Sequence, residues 1–332
     1  MKYLYIALSV LVTFSSCEKL IFEKKKASVN PKENFEYLWN QCDQKYSYFE
    51  LKGVDWKAIK TKYESKIYDD MSEDSLFSVL GSMLNELRDD HTNLKSSFNI
   101  SQYGTTYKGQ DNYDERIIHD HYLSKSAHQT GLLLNDFLDN GKIGYIRFDG
   151  YNGISLESLD FVLNRFKNTK GLIVDIRENG GGSVGDVFSL LSRFIETKTL
   201  LNYSRIKSGP GHNDFSTAEP VYLDPYDGIR YKNKVVFLTD RGTYSAGSFT
   251  ALATKALPNV VLIGDTTGGG LGLPNGGQLP NGWFYRFSIT QALTLDQSNE
   301  YEMGVPPDIT VQFDWNDLTK DEILERAISE LQ

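Results

Sequence analysis

The sequence predicts an α/β fold, a largely parallel sheet with covering helices, preceded by a small N-terminal helical bundle. Three observations carry that expectation. Short apolar runs at 143–148, 171–176, 235–238 and 260–263 have the length and branching of buried strands. Amphipathic helical patterns lie between them, one through Leu156, Leu159, Leu163 and Phe166, the next through Val187, Phe188, Leu191 and Ile195. The order β-α-β-α, resumed at Val235, is that of parallel strands joined by crossover helices.

Taken in order, Lys2 precedes an apolar run from Tyr3 to Phe14, then Ser15-Ser16-Cys17. That is a charged start, an apolar stretch too short to span a bilayer, and small residues before a cleavage point. Small residues followed by cysteine resemble the lipobox of bacterial lipoproteins, although Phe14 and Ser16 depart from its usual Leu and Gly or Ala. The expectation is a signal peptide over 1–16, lipidation of Cys17, and a solvated linker over 17–30. The mature protein would then sit in the bacterial cell envelope, on the periplasmic or surface side, touching membrane through its anchor only. An ordinary secreted protein with an incidental cysteine is the other reading. Cys17 and Cys42 are the only cysteines, too few for a disulfide framework or a cysteine metal site.

Residues 31–95 read as helical. Phe35, Leu38, Cys42 and Tyr46 share one helix face. Asp55 is placed to cap a second helix carrying Trp56, Ile59, Tyr63 and Ile67. Ser72 caps a third with the stripe Leu76, Leu80, Met83, Leu84 and Leu87. That third helix is expected to run into Arg88-Asp-Asp-His-Thr92. His91 reads from the residues alone as a surface histidine or as a titratable group for chemistry.

Residues 96–332 form the predicted core. Asn140-Gly141 signals a hairpin into the strand at Ile143. His119-Asp-His121 has no third ligand at a sensible spacing, so no metal site is expected. At the carboxyl ends of the strands, where α/β folds gather function, lie Asn179-Gly-Gly-Gly182 and Ser245. The glycines serve as a loose turn, a phosphate cradle, or backbone held close to a substrate; the lysine of a P-loop is absent. Ser245 opens a helix, either as an N-cap or as a nucleophile beside free amides. Thr199 to Tyr231, with Gly209-Pro-Gly-His212, reads as loops beside the cleft. The net charge of −9 and the lack of a basic patch exclude a nucleic-acid partner.

Five motifs then cease to be independent. LRDDHTNL, LIVDIRENGGG, LTDRGTYSAGSF, IGDTTGGG and EMGVPPDI occur in this order. Together they resemble the C-terminal processing (tail-specific) serine peptidases, over about residues 33–312. The resemblance implies a crotonase- and ClpP-like core and hydrolysis of polypeptides without metal or organic cofactor. One branch of that family uses a Ser-Lys dyad, but Gly270 stands where its lysine would be. Lys255 lies about 15 Å along the helix axis from Ser245. The other branch, like the tricorn core and the retinoid-binding-protein repeats, takes a histidine from the end of the helical region. On that pattern Ser245 is the nucleophile, His91 the base, and Glu302 orients or polarises the pair. The amides of Ala246 and of Gly181 or Gly182 form the oxyanion hole. Too few residues separate His91 from Ile143 to hold a PDZ domain. A catalytically silent peptide-binding lipoprotein and an esterase are the competing functions.

Overall fold

A computed structural model describes residues 27–104 and 110–332. The predicted signal peptide and the lipidation site Cys17 lie outside the described residues. Three helices open the described chain: α1 (Pro31–Lys45), α2 (Trp56–Glu64) and α3 (Glu73–Asn85). Their starts follow the cap residues: Asp55 Oδ1 accepts from the amide of Ala58 at 2.9 Å, and Ser72 Oγ from that of Ser75 at 3.3 Å. Phe35, Leu38, Cys42, Leu80 and Met83 are buried between them, and burial pushes the Cys42 thiol well up.

The third helix ends earlier than the hydrophobic stripe predicts, at Asn85, because Arg88 takes a positive φ of 52° that no helix continues. His91 therefore sits in a turn leading to β1 (Asn93–Lys95), which pairs with β2 (Ile100–Gln102). Then β3 (His128–Thr130) and β4 (Leu133–Leu138) lead through the turn at Asn140-Gly141 into β5 (Ile143–Arg147). The antiparallel β4–β5 pairing is the hairpin that Asn-Gly signals.

From there the chain alternates: α4 (Leu156–Arg165), β6 (Gly171–Asp175) and α5 (Val184–Leu191). After the excursion β7 (Thr199–Ile206) and β8 (Glu219–Leu223) come β9 (Lys234–Thr239), α6 (Ala246–Thr254) and β10 (Val260–Gly264). The end comprises β11 (Pro274–Gln278), β12 (Phe284–Ser288), β13 (Thr290–Leu293), β14 (Ile309–Thr310) and α7 (Glu322–Glu330).

The central sheet runs β14-β10-β9-β6-β5-β4-β3, parallel from β14 to β5 and antiparallel beyond. Val235, Phe237, Leu172, Val174 and Ile146 fill one face under α4, α5 and α6, while Val236, Ile173 and Tyr145 fill the other under α7. Two smaller sheets, β11-β12-β1-β2 and β13-β7-β8, flank the carboxyl ends. The segment expected as loops, 199–231, thus contains the β7–β8 hairpin, of which β7 also pairs with β13. The first of these sheets takes strands from both sides of residue 95, so the helical region and the core share one apolar cluster from Phe35 to Phe287.

Candidate active site

The turn after β9 is built by Asp240, whose Oδ1 accepts from the amides of Thr243 (2.9 Å) and Glu178 (2.8 Å). It thereby ties the nucleophile turn to the glycine loop after β6. That loop is anchored from below by Arg177, fully buried, whose guanidinium binds Asp175 and Asp321 at 2.6 and 2.7 Å. Ser245 occupies the cap position of α6, yet its side chain caps nothing. Its φ and ψ of 55° and −118° are those of a type II′ turn's first central residue, a region otherwise held by glycine. Instead of folding back onto the helix, Ser245 Oγ lies 2.9 Å from His91 Nε2.

His91 is almost completely buried, and its amide donates to Asp89 Oδ1 at 2.9 Å. Burial holds the imidazole below its usual pKa, helped by the Arg286 cation; the Asp89 carboxylate and the Gly272 backbone pull it only part of the way back. A neutral imidazole facing a serine hydroxyl can accept its proton. Nδ1 is buried without a hydrogen bond.

Glu302 lies beside the pair without touching it. Its Oε2 accepts from the amides of Leu271 (2.7 Å) and Gly272 (2.9 Å), so it braces backbone beside the pair and bonds to neither ring nor hydroxyl. The turn Glu300–Met303 presents the carboxylate inward, where desolvation pushes it up to about 7 against the opposing pull of Lys52. Asp89 Oδ2 accepts from Tyr46 Oη at 2.9 Å and Ser288 Oγ at 3.1 Å. Its burial is outweighed by Lys52, His91 and these bonds, which hold its carboxyl below the usual range. Lys52, whose side chain is also buried, stands between the carboxylates, 3.6 Å from Asp89 Oδ2 and 3.7 Å from Glu302 Oε1. Sequence reasoning missed Lys52: it lies in the aromatic-rich connection between α1 and α2, with no motif or period to mark it.

Of the glycine amides, Gly180 donates to Asp149 O (3.2 Å) and Gly181 to Asn179 Oδ1 (3.0 Å). Gly181 is thereby removed from the oxyanion pair, because Asn179 already uses its donor. The amides of Gly182 and Ala246 make no hydrogen bond among the described residues, and both residues line the cleft with Ser245. Gly182 has φ 132°, and a Cβ there would meet Tyr151 O at 2.2 Å.

Lys255 caps the C-terminal end of α6, away from Ser245, and pairs with Asp308 at 2.6 Å. Gly270 has φ 72°, and a Cβ on it would fall 2.2 Å from Tyr244 Cζ. The Tyr244 ring, edge-on to His91 at 5.1 Å, thus occupies the space a side chain at 270 would need. His119 and His121 lie apart from all this, His119 facing Glu115 on an exposed turn. The cleft over Ser245 encloses about 640 Å³ and is walled by Val184, Phe188, Phe249, Leu271 and Arg286.

The profile of peptidase family S41 matches residues 142–311, just over half of the chain, and that of the tricorn protease C1 domain matches residues 29–85. The chain belongs to peptidase family S41. A crystal structure of a candidate peptidase from Parabacteroides merdae ATCC 43184 resembles this S41 chain with 39% identity and a TM-score of 0.87, covering 92% of this chain and 97% of that one. Mature CPAF has the same fold, with a TM-score of 0.69 at 13% identity over 91% and 96% of the two chains. The carboxy-terminal processing protease CtpA of Bacillus subtilis (strain 168) is 23% identical over 53% of this chain and 36% of its own. The S41 chain described here thus spans about a third of the length of that curated relative.

Proposed function

We propose that this chain is a serine endopeptidase that hydrolyses polypeptides through an acyl-enzyme. The observation that carries the reading is Ser245: a strained serine at a helix N-terminus that caps nothing and meets a buried histidine at 2.9 Å. In the proposed reaction Ser245 Oγ attacks the scissile carbonyl carbon while its proton passes to His91 Nε2. The C–N bond breaks as that proton moves to the leaving amine, and water then hydrolyses the acyl ester by the same route. The amides of Ala246 and Gly182 face the developing oxyanion, each such donor contributing about 10²–10³ in rate. Asp89, Glu302 and Lys52, with both carboxyls ionised, sum to one negative charge behind the imidazole. That charge favours the transient imidazolium without a direct bond to the ring.

Family membership and the carboxy-terminal processing protease among the relatives support a polypeptide substrate. A peptide-binding protein without catalysis has no use for the strain at Ser245. The decisive experiment is hydrolysis of casein by wild type, Ser245→Ala and Lys255→Ala. Loss in the first variant and near wild-type rates in the second are expected; an active Ser245→Ala refutes the reading. We further propose that the mature chain begins at Cys17, lipidated and held at the bacterial cell envelope. Metabolic fatty-acid label that survives Cys17→Ser contradicts that placement.

A further inference from the structure

Strand β7 carries a bulge beside the cleft. Leu200 stands opposite Tyr222 of β8 and Asn202 opposite Val221, so Leu201 is an extra residue between them. Leu201 packs into the apolar core, and past it Asn202, Ser204 and Val221 all line the cleft that holds Ser245. Asn202 is only 1% exposed. Its Nδ2 donates to Tyr203 O at 2.7 Å, which settles which end of the carboxamide is which. Its Oδ1 is left buried without a hydrogen-bond partner.

An acceptor taken out of water and left unpaired costs about 1–3 kcal/mol, against roughly 0.5–1.5 kcal/mol gained by a bond such as the one on Nδ2. Other buried carboxamides of the core are answered at their oxygen. Asn179 Oδ1 accepts from the amide of Gly181, and Asn112 Oδ1 from that of Phe313, each at 3.0 Å. The same cleft is otherwise walled by apolar side chains of α5 and α6, among them Val184, Phe188 and Phe249. Phe188 and Phe249 meet edge-on at 5.9 Å. An apolar residue at 202 would suit those walls without the cost of an orphaned oxygen. The carboxamide is therefore a feature that needs a donor from outside the chain.

We infer that Asn202 is the base of a specificity pocket for the substrate residue on the acyl side of the scissile bond, and that it selects an apolar side chain ending in a neutral hydrogen-bond donor. The inference rests on the peptidase reading, which makes the ligand a peptide and Ser245 the point of attack. An ionised carboxylate brings no donor to Oδ1. An ammonium brings one, but between apolar walls and a neutral acceptor it loses its hydration without gaining a counter-charge. The donor is thus either the phenol of tyrosine or the carboxamide N–H of glutamine; the two share one chemistry and separate by experiment. Asn202 is a specificity residue and takes no part in the bond-breaking step.

The test measures binding to the Ser245→Ala protein, so that it does not depend on turnover. The probes are fluorescein-labelled peptides of Ala, Gly and Ser, blocked at both ends, with a single variable residue. Tyr against Phe and Gln against Met are the matched pairs. The member with the donor is expected to bind roughly ten- to hundredfold tighter, and the ratio should fall to about one when Asn202→Leu is added. A Tyr/Phe ratio alone identifies a phenol reader, and a Gln/Met ratio alone a carboxamide reader. If Asn202→Leu fails to fold, Asn202→Asp reads the same contact: its charge should turn the preference toward Lys over norleucine. Equal binding within both pairs, a ratio that survives Asn202→Leu at unchanged melting temperature, an unshifted preference in Asn202→Asp, or no binding by any peptide overturns the pocket. Wild-type cleavage of the same peptides is mapped separately by mass spectrometry, with cuts expected directly after Tyr or Gln. Selective binding without cleavage contradicts the peptidase reading alone, and cleavage indifferent to the variable residue contradicts the pocket alone.

Discussion

Tyr244 occupies the position that a side chain on Gly270 would need, its Cζ only 2.2 Å from where a Cβ would stand. The glycine is also at φ 72°, so any L residue there is strained twice over. Gly270→Lys is therefore expected to destroy activity rather than create a Ser-Lys dyad. The variant should also lose stability, by roughly 1–3 kcal/mol for overpacking. Casein hydrolysis and denaturant melts check this; an active Gly270→Lys in a His91→Ala background contradicts it.

The backbone at Ser245 carries strain of about 1–3 kcal/mol if it follows other residues held in such regions. Because its hydroxyl makes no cap bond, Ser245→Gly loses no helix-capping energy and relieves φ. It should be inactive and at least as stable as wild type. A loss of about 1 kcal/mol in urea unfolding, the usual cost of a removed cap, would show that the serine is structural.

Lys52 favours the deprotonated forms of Asp89, Glu302 and His91 alike. Activity needs a neutral His91 and gains from an ionised Glu302, so it should fall as pH drops through about 7, where Glu302 takes up its proton. Removing the cation raises all three pKa values, and the acid limb of kcat/KM in Lys52→Met should move to higher pH. Lys52→Arg, which keeps the charge, should keep the wild-type limb. The Met variant also leaves two buried carboxylates facing each other, at a cost of about 3–5 kcal/mol. A profile that only drops in height, without moving, assigns Lys52 to folding alone.

Much of this arrangement was legible in the chain. The cap residues Asp55 and Ser72, the Asn140-Gly141 hairpin and the strand runs at Val235 and Val260 all act locally, and each appears where its chemistry predicts. Ser245 and His91 were named from motif order, yet their meeting across 154 residues depends on the crossing of α6 and the turn after α3. The extent of α3 was misread because apolar spacing persists to Leu87 while Arg88 breaks the helix through φ alone. Glu302 is named by motif order as well, whereas its acceptance from two backbone amides leaves no trace in a sequence. Nothing in the run of glycines tells Gly181 from Gly182, whereas in the fold Asn179 takes the Gly181 amide and leaves that of Gly182 at the cleft. Lys52 was invisible for a similar reason: its role comes from burial between two carboxylates contributed by distant turns.

The central claim is that Ser245 is a nucleophile activated by His91. Covalent labelling with a fluorophosphonate, followed by mass-spectrometric mapping, tests it most directly. The account predicts a single adduct on Ser245 in wild type and in Lys255→Ala. In His91→Ala the labelling rate should fall nearly to the background of Ser245→Ala, with little further loss in the double variant, as for members of one catalytic unit. An adduct on another residue, or undiminished labelling of His91→Ala alongside an inert Lys255→Ala, would contradict it.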